Sequence, residues 1–177
     1  MQAITFKARK AGLPPQAAIA PLYPGSDLAD AYVVALPNAH AAGMDMESLA
    51  RTLFGSQPGW AQKLMVLRDA IVARFGIKTA AQLTNGGGGR VGIFRIYAVT
   101  ANEIVVGEDD SHLDFRLSML RSTAGGPHGS VTLASAVHCH NWVGRAYIFL
   151  IRPFHKLIVR YTLSRAARSG FNQVRLE

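Results

Sequence analysis

The 177-residue sequence predicts an α+β domain in which one curved antiparallel sheet packs against a long C-terminal helix. Three observations lead to this prediction. Four strand-like runs follow one another after residue 90, with connections too short for parallel crossovers. Residues 147–161 repeat apolar side chains at helical spacing. Apolar residues make up 49% of the chain, which is enough for a packed core.

The N-terminal part of the chain predicts a strand after an irregular start. Residues 1–28 are rich in Pro, Ala and Gly, and we expect them to run over the surface as an irregular N-terminal segment. The run ADAYVVAL, residues 29–36, is typical of a strand, and Pro37 should end it. The folded domain is therefore expected to span residues 29–170, followed by a tail at residues 171–177.

Two helices are predicted next. Asp45 is a suitable cap for a short helix over MESLARTLF, and Gly55 would close it. The segment WAQKLMVLRDAIVARF, residues 60–75, has apolar side chains at helical spacing and predicts a second helix. The glycine-rich segment TNGGGGR, residues 84–90, lacks the Lys-Ser/Thr ending of a phosphate-binding loop, and no cofactor is predicted.

The middle of the chain predicts an antiparallel meander of four strands. The runs VGIFRIYAV, EIVVGE, SHLDFRLSMLR and SVTLASAVHCH are separated by turn signals. In the third run apolar and polar side chains alternate, so its two faces should differ. The apolar face should line the concave side of the sheet with Leu113, Phe115, Leu117 and Met119. The other face should carry His112, Asp114 and Arg116.

A long helix is predicted at the end of the domain, closed by Ser169-Gly170. One stripe, expected to face the sheet, consists of Tyr147, Leu150, Ile151, Phe154, Leu157, Ile158 and Tyr161. The opposite side carries Arg145, Arg152, Lys156 and Arg160. Because the stripe keeps its phase across Pro153, we expect one kinked helix. The alternative is a last strand at residues 145–151 with a helix that begins at Pro153.

Charge and composition limit the possible partners. The net charge is +8, and no acidic residue occurs between Phe115 and Leu176. This asymmetry indicates either a solvated basic face or an anionic partner such as a membrane surface, nucleic acid or an acidic ligand. No nucleic-acid-binding motif is present, so nucleic acid is not favoured. The absence of a long apolar run predicts no transmembrane segment, and the single cysteine and lack of a secretory signal pattern predict a cytoplasmic protein.

Several motifs together resemble a bacterial family known only as a domain of unknown function. They are the His-Leu-Asp-Phe strand at residues 112–115, the Asn-x-x-Gly-Arg-x-Tyr turn at 141–147, the Pro-Phe-His segment at 153–155 and the Trp60–Arg68 helix. The order of elements resembles the START/polyketide-cyclase (SRPBCC) helix-grip superfamily. The resemblance implies a helix-grip fold that binds a small apolar or amphipathic ligand under the C-terminal helix, and it implies no catalytic residues.

Within such a fold ten residues are candidates for contact with the ligand. Arg145 and His155 could anchor a polar or anionic end of the molecule. The full set is Phe94, Ile96, Phe115, Leu117, Val137, Arg145, Tyr147, Ile151, Phe154 and His155.

The polar residues of the meander leave other hypotheses open. Asp114 could orient His112 or His138 as a general base in a cyclase- or hydrolase-type enzyme. His138 and His140 share a strand face and could bind zinc or iron with a nearby carboxylate, but they could equally be surface histidines, and no metal is predicted. A structural role is a further possibility, in which Asp114 pairs with Arg116 or Arg145 and Asn141 caps the long helix. Cys139 falls on the apolar face, where its thiol should stay protonated.

Overall fold

A computed structural model describes residues 6–55 and 89–172 of the chain. Its strands are β1 (Arg9–Ala11), β2 (Leu28–Ala35), β3 (Arg90–Val91), β4 (Phe94–Val99), β5 (Glu103–Asp109), β6 (Leu113–Ser122) and β7 (Ser130–Cys139). Its helices are a 3-10 turn at Ala20–Leu22, α1 (Ala39–Gly43), α2 (Met46–Gly55) and α3 (Trp142–Arg168). The predicted helix over residues 60–75 and most of the glycine-rich segment lie outside the described residues.

The described strands form one curved antiparallel sheet in the order β1-β2-β7-β6-β5-β4-β3. The predicted α+β class and the meander are confirmed, because β4 to β7 are neighbours joined by short turns. The first predicted run is split into β3 and β4 at Gly92, whose φ of 60° suits a residue without a side chain. Strand β1 pairs with β2 in the segment that was expected to be irregular.

The concave face of the sheet carries the main core. Large buried side chains there include Val34, Leu133 and Met119, which pack with α1, α2 and the C-terminal half of α3. Asp45 accepts a hydrogen bond from the backbone N of Ser48 at 2.8 Å, as predicted for the start of α2. The apolar side of β6 faces this core, so the predicted division of that strand is confirmed.

The opposite face of the sheet is partly covered by the N-terminal segment. Ala17 and Ile19 of the N-terminal segment pack on small side chains of β2 and β7, including Ala31 and Ala134. Small residues let the segment approach closely. The buried Glu103 carboxylate fixes it by accepting hydrogen bonds from the backbone N of Ala18, at 2.9 and 3.1 Å.

Helix α3 is a single helix that contains Pro153, as predicted. The Asn141 side chain caps it by accepting a hydrogen bond from the backbone N of Gly144 at 3.1 Å. Gly170, with a φ of 71°, follows the C-terminal cap Ser169.

The face of α3 that packs on the sheet differs from the predicted stripe. Leu150, Phe154, Leu157 and Tyr161 are exposed, so the expectation that they face the sheet is wrong. The buried residues of the helix are mostly small: Gly144, Ile148, Val159, Thr162, Leu163, Ser164, Ala166 and Ala167. Close packing of the helix on the sheet explains why these residues are small. A side chain at Gly144, for example, would place a Cβ 2.2 Å from the carbonyl oxygen of His112.

Candidate functional site

Three polar side chains meet between α3 and the concave face of the sheet. Asp30 of β2 and Ser135 of β7 are register partners on neighbouring strands. His155 reaches them from the helix, with its Nε2 atom 3.3 Å from Asp30 Oδ1 and 3.4 Å from Ser135 Oγ. We call these residues the polar trio. Alternation along β2 places Asp30 on the same face as Leu28, Tyr32 and Val34, which explains why this carboxyl group points into the core.

One oxygen of the Asp30 carboxyl group is without a hydrogen bond in the described part of the chain. The residue is 6% exposed, and its Oδ2 atom has no hydrogen-bond partner among the described residues. Asp30 Oδ1 and Ser135 Oγ both contact Nε2 of His155. A ring nitrogen can donate or accept only one good hydrogen bond at a time. The polar trio therefore has more hydrogen-bonding capacity than its own members can satisfy.

The arrangement is unlike a Ser-His-Asp catalytic triad. In a triad the carboxylate and the nucleophile bind opposite nitrogens of the imidazole, so that one orients the ring while the other loses a proton. Here Asp30 and Ser135 both approach Nε2 of His155. The geometry suits the binding of a polar group rather than activation of the serine.

The electrostatic surroundings of the trio are mixed. Tyr32 is the next inward-facing residue of β2. Burial raises the pKa of its hydroxyl group, and the charge of Asp30 adds to this rise, whereas Arg160 and Arg152 of α3 act in the opposite direction. The pKa of the Tyr32 hydroxyl group therefore responds to an acidic group on the sheet and to basic groups on the helix, and the hydroxyl group remains neutral at ordinary pH.

Most of the predicted ligand-contacting residues come together beside the trio. Phe115, Val137, Tyr147 and Ile151 pack in one cluster with Leu28. Phe94, Ile96 and Leu117 belong to the adjoining core, and the rings of Phe94 and Phe115 meet edge to face at 5.7 Å. Five of these seven residues are only half-buried: Phe94, Ile96, Phe115, Tyr147 and Ile151.

The remaining candidates are placed differently. His155 belongs to the polar trio. Phe154 is exposed on the outer side of α3. Arg145 is also exposed, and its Nε atom lies 3.3 Å from Asp27 Oδ1.

A small cavity lies away from the trio, between α2 and the C-terminal turns of α3. Its volume of about 10 Å³ is room for about one water molecule. Its lining includes Thr162, whose buried Oγ1 atom has no partner among the described residues. A bound water would satisfy this hydroxyl group, so the cavity is suited to solvent rather than to an organic ligand.

The histidines of the meander form two separate contacts. His112 Nδ1 lies 2.9 Å from the side-chain nitrogen of Asn141, next to the start of α3. Asp114 pairs with His140 at 3.0 Å, and the rings of His138 and His140 meet at 5.5 Å. The structure thus gives Asp114 a different histidine partner from the two that were predicted, although His138 lies opposite Asp114 in the strand register.

The predicted structural roles of this region are met in part. The prediction that Asn141 caps the long helix is confirmed. The predicted pairing of Asp114 with an arginine is wrong, because Arg116 pairs with Asp109 at 2.7 Å and Arg145 pairs with Asp27. Within residues 6–55 and 89–172, no group of three His, Cys, Asp or Glu side chains is placed to hold a metal ion.

Cys139 ends β7 in a buried position, as the alternation of that strand predicted. Burial raises the pKa of its thiol to about 11, with a further contribution from the nearby charge of Asp27. The thiol is therefore protonated at neutral pH and is a poor nucleophile.

Asp27 connects the end of β7 to the start of α3. We expect that replacing it lowers the free energy of unfolding by an amount that depends on pH. The backbone N of Cys139 donates to Asp27 Oδ2 at 2.7 Å; this bond, more than the contact with Arg145, lowers the pKa of the carboxyl group. A lowered folded-state pKa gives stability that is present above the unfolded-state pKa and is lost as the pH falls through the folded-state value. Asp27→Asn should lose roughly 1 kcal/mol at neutral pH, a low value because the carboxylate is partly exposed.

Urea denaturation of wild type and Asp27→Asn at a series of pH values measures this effect. The difference in unfolding free energy should shrink as the pH falls below about 4, where carboxyl groups become protonated. Arg145→Gln is the matched control, since it keeps the hydrogen bond from Cys139 and should lose less. A difference that stays constant down to pH 2 or so would contradict the assignment.

In the described part of the chain, no helix is long and apolar enough to cross a membrane.

The chain belongs to the family described as "Protein of unknown function (DUF2867)", whose model matches residues 22–162. This range contains all three members of the polar trio and α3 as far as Thr162. The family assignment predicted from the motifs is thus confirmed, and the fold is consistent with a helix-grip arrangement. No curated protein and no solved structure matches the chain.

Two members of the polar trio, Asp30 and Ser135, are not among the candidate residues that the sequence predicts. Asp30 is the one acidic residue in the run ADAYVVAL, and it occupies an inward-facing position of that strand. Ser135 has the same phase as the inward-facing Leu133 and Val137 on β7. A polar side chain at an inward position of an apolar strand is the signal that could have identified both.

Proposed function

We propose that the protein binds a small amphipathic molecule between the sheet and α3, with a hydrogen-bond-donating group of the molecule on Asp30. The observation that carries the proposal is the buried Oδ2 atom of Asp30, which has no partner among the described residues. An unsatisfied buried polar group costs roughly 1–3 kcal/mol, and a ligand that satisfies it recovers this free energy on binding.

The neighbouring side chains favour an apolar body for the same molecule. Phe115, Tyr147 and Ile151 are half-buried and pack beside Leu28 and Val137, which form the next inward-facing register pair, two residues along the strands from Asp30 and Ser135. Ligand sites typically combine such apolar and aromatic walls with a few convergent polar groups.

The polar end of the ligand is expected to be a donor rather than an anion. Asp30 and Ser135 are buried register partners on the sheet, and a carboxylate on the ligand would meet the Asp30 carboxylate with like charge. Arg145, which was expected to anchor an anionic end, instead pairs with Asp27 on the surface. An amine, amide or hydroxyl group is therefore the chemistry that suits the site.

Native mass spectrometry of freshly purified protein tests the proposal. Wild type is expected to retain a co-purified organic mass of a few hundred daltons, the size range of pocket ligands. Asp30→Asn should lose that mass, since the amide presents a donor in place of an acceptor oxygen.

Asp114→Asn is the matched control, because it removes one carboxylate from the opposite face of the sheet, at the exposed contact with His140. This variant should keep the bound mass. Retention of the mass by Asp30→Asn, or its loss from both variants alike, would contradict the assignment of Asp30.

A further inference from the structure

Helix α3 carries a second apolar surface on its exposed side. Phe149 is 84% exposed and Trp142 is 72% exposed, and Leu150, Phe154 and Leu157 are exposed as well. At about 100° per residue, these side chains occupy one continuous sector of the helix surface. We call the five residues the outer band. It extends about 22 Å along the helix axis, from Trp142 to Leu157.

Basic residues flank the outer band. Arg145, Arg152 and Lys156 lie along one edge, and Arg160 follows Leu157 at the C-terminal end of the band. All four are exposed, and α3 contains no acidic residue. Arginine and lysine stems can lie along an apolar surface while their charged ends stay in water. Exposed Trp, Phe and Leu side chains beside a basic edge are the composition of helices that lie in a membrane interface.

We propose that the outer band and its basic edge dock the protein on a bilayer surface that contains anionic lipid, with α3 parallel to the membrane plane. The helix is already formed, because its opposite face is packed in the core through Ile148, Val159 and Leu163. Docking therefore needs no folding step. The free energy gained by burying the outer band in the membrane is not offset by a cost of ordering the helix.

Charge favours a lipid surface over a second copy of the chain. If two molecules met through their outer bands, two helices without acidic residues would come together, and their arginine and lysine side chains would repel each other. Anionic lipid headgroups instead attract such residues, each of which contributes roughly a fivefold factor to binding near the surface. The proposal is independent of the ligand site, which lies on the other side of α3.

Co-sedimentation with vesicles tests the proposal. The full chain should bind vesicles of phosphatidylcholine with about 30% phosphatidylserine at least tenfold more tightly than vesicles of phosphatidylcholine alone. The double variant Phe149→Ala/Leu157→Ala should bind the anionic vesicles at least about tenfold more weakly than wild type. Arg152→Gln/Lys156→Gln should lose affinity by a similar factor and show a weaker dependence on salt.

Two control variants separate docking by α3 from general effects. Leu13→Ala/Leu22→Ala removes two exposed leucines elsewhere, and Arg9→Gln/Lys10→Gln removes two exposed charges on β1. Both should bind the anionic vesicles like wild type. The proposal is overturned if wild type does not bind these vesicles, or if the controls lose as much affinity as the α3 variants. It is also overturned if light scattering shows a dimer that Phe149→Ala/Leu157→Ala abolishes, since the band would then be a self-association surface.

Discussion

Replacement of Gly144 by alanine is expected to destabilise the protein by about 3 kcal/mol, although alanine is the better helix former by about 1 kcal/mol. The added Cβ would lie 2.2 Å from the carbonyl oxygen of His112. That oxygen cannot move away freely, because it accepts a hydrogen bond from the backbone N of His140 at 2.9 Å. The first turn of α3 would therefore have to move off the end of the sheet.

Urea denaturation gives the sign of the change directly. Gly12→Ala is the matched control, because a Cβ at that position meets nothing within 4 Å, and its unfolding free energy should change by no more than about 0.5 kcal/mol. If Gly144→Ala proves as stable as wild type or more so, the close approach of α3 to the residue before β6 is wrong.

The orientation of α3 predicts a large difference between two leucines of the same helix. Leu163 is 0% exposed, and truncation to alanine should cost about 2–5 kcal/mol through lost burial and a cavity. Leu157 is 56% exposed, and the same truncation there should change stability by no more than about 0.5 kcal/mol.

This pair of variants distinguishes the observed helix face from the one that the apolar spacing predicted. If the predicted stripe faced the sheet, Leu157→Ala would be strongly destabilising. Thermal unfolding of the two variants side by side is sufficient, since both remove the same atoms from one helix. A larger cost for Leu157→Ala than for Leu163→Ala would reverse the assigned orientation.

The sequence predicts the strands and the long helix well because the signals for these elements are local. Alternation within β6 and β7 and the turns between them depend on residues close in the chain. The orientation of α3 depends on tertiary packing instead. Helical spacing gives most weight to large apolar side chains, whereas contact with a sheet at short distance selects small ones such as Gly144, Ala166 and Ala167.

Strand β1 and the cover on the second face of the sheet were missed for a related reason. The three residues of β1, Arg9–Ala11, have no alternation of apolar side chains, as is usual for a short charged edge strand. Ala17 and Ile19 become a cover only because Ala31 and Ala134 leave room for them on the sheet. The position of this N-terminal segment therefore depends on the sheet surface that it packs on, and not on a pattern within the segment.

The candidate site shows the same division between local and tertiary signals. His155 was predicted from the sequence as a possible anchor for a polar end of the ligand. Its partners lie 125 and 20 residues away along the chain, and only the pairing of β2 with β7 brings Asp30 and Ser135 together. Asn141 and Gly144, by contrast, contact each other within the first turn of α3. Because this contact is local, the sequence motif was sufficient to predict it.

Calorimetric titration with octylamine, octanol and octanoate tests the central claim most directly, because the three probes share one apolar body and differ in the polar group offered to Asp30. Wild type should bind octylamine and octanol, and it should bind octanoate at least about tenfold more weakly than octylamine. Asp30→Asn should lose this preference, and Asp114→Asn should keep it. Equal affinity of wild type for octylamine and octanoate, or an unchanged preference in Asp30→Asn, would contradict a ligand site built on the buried carboxyl group.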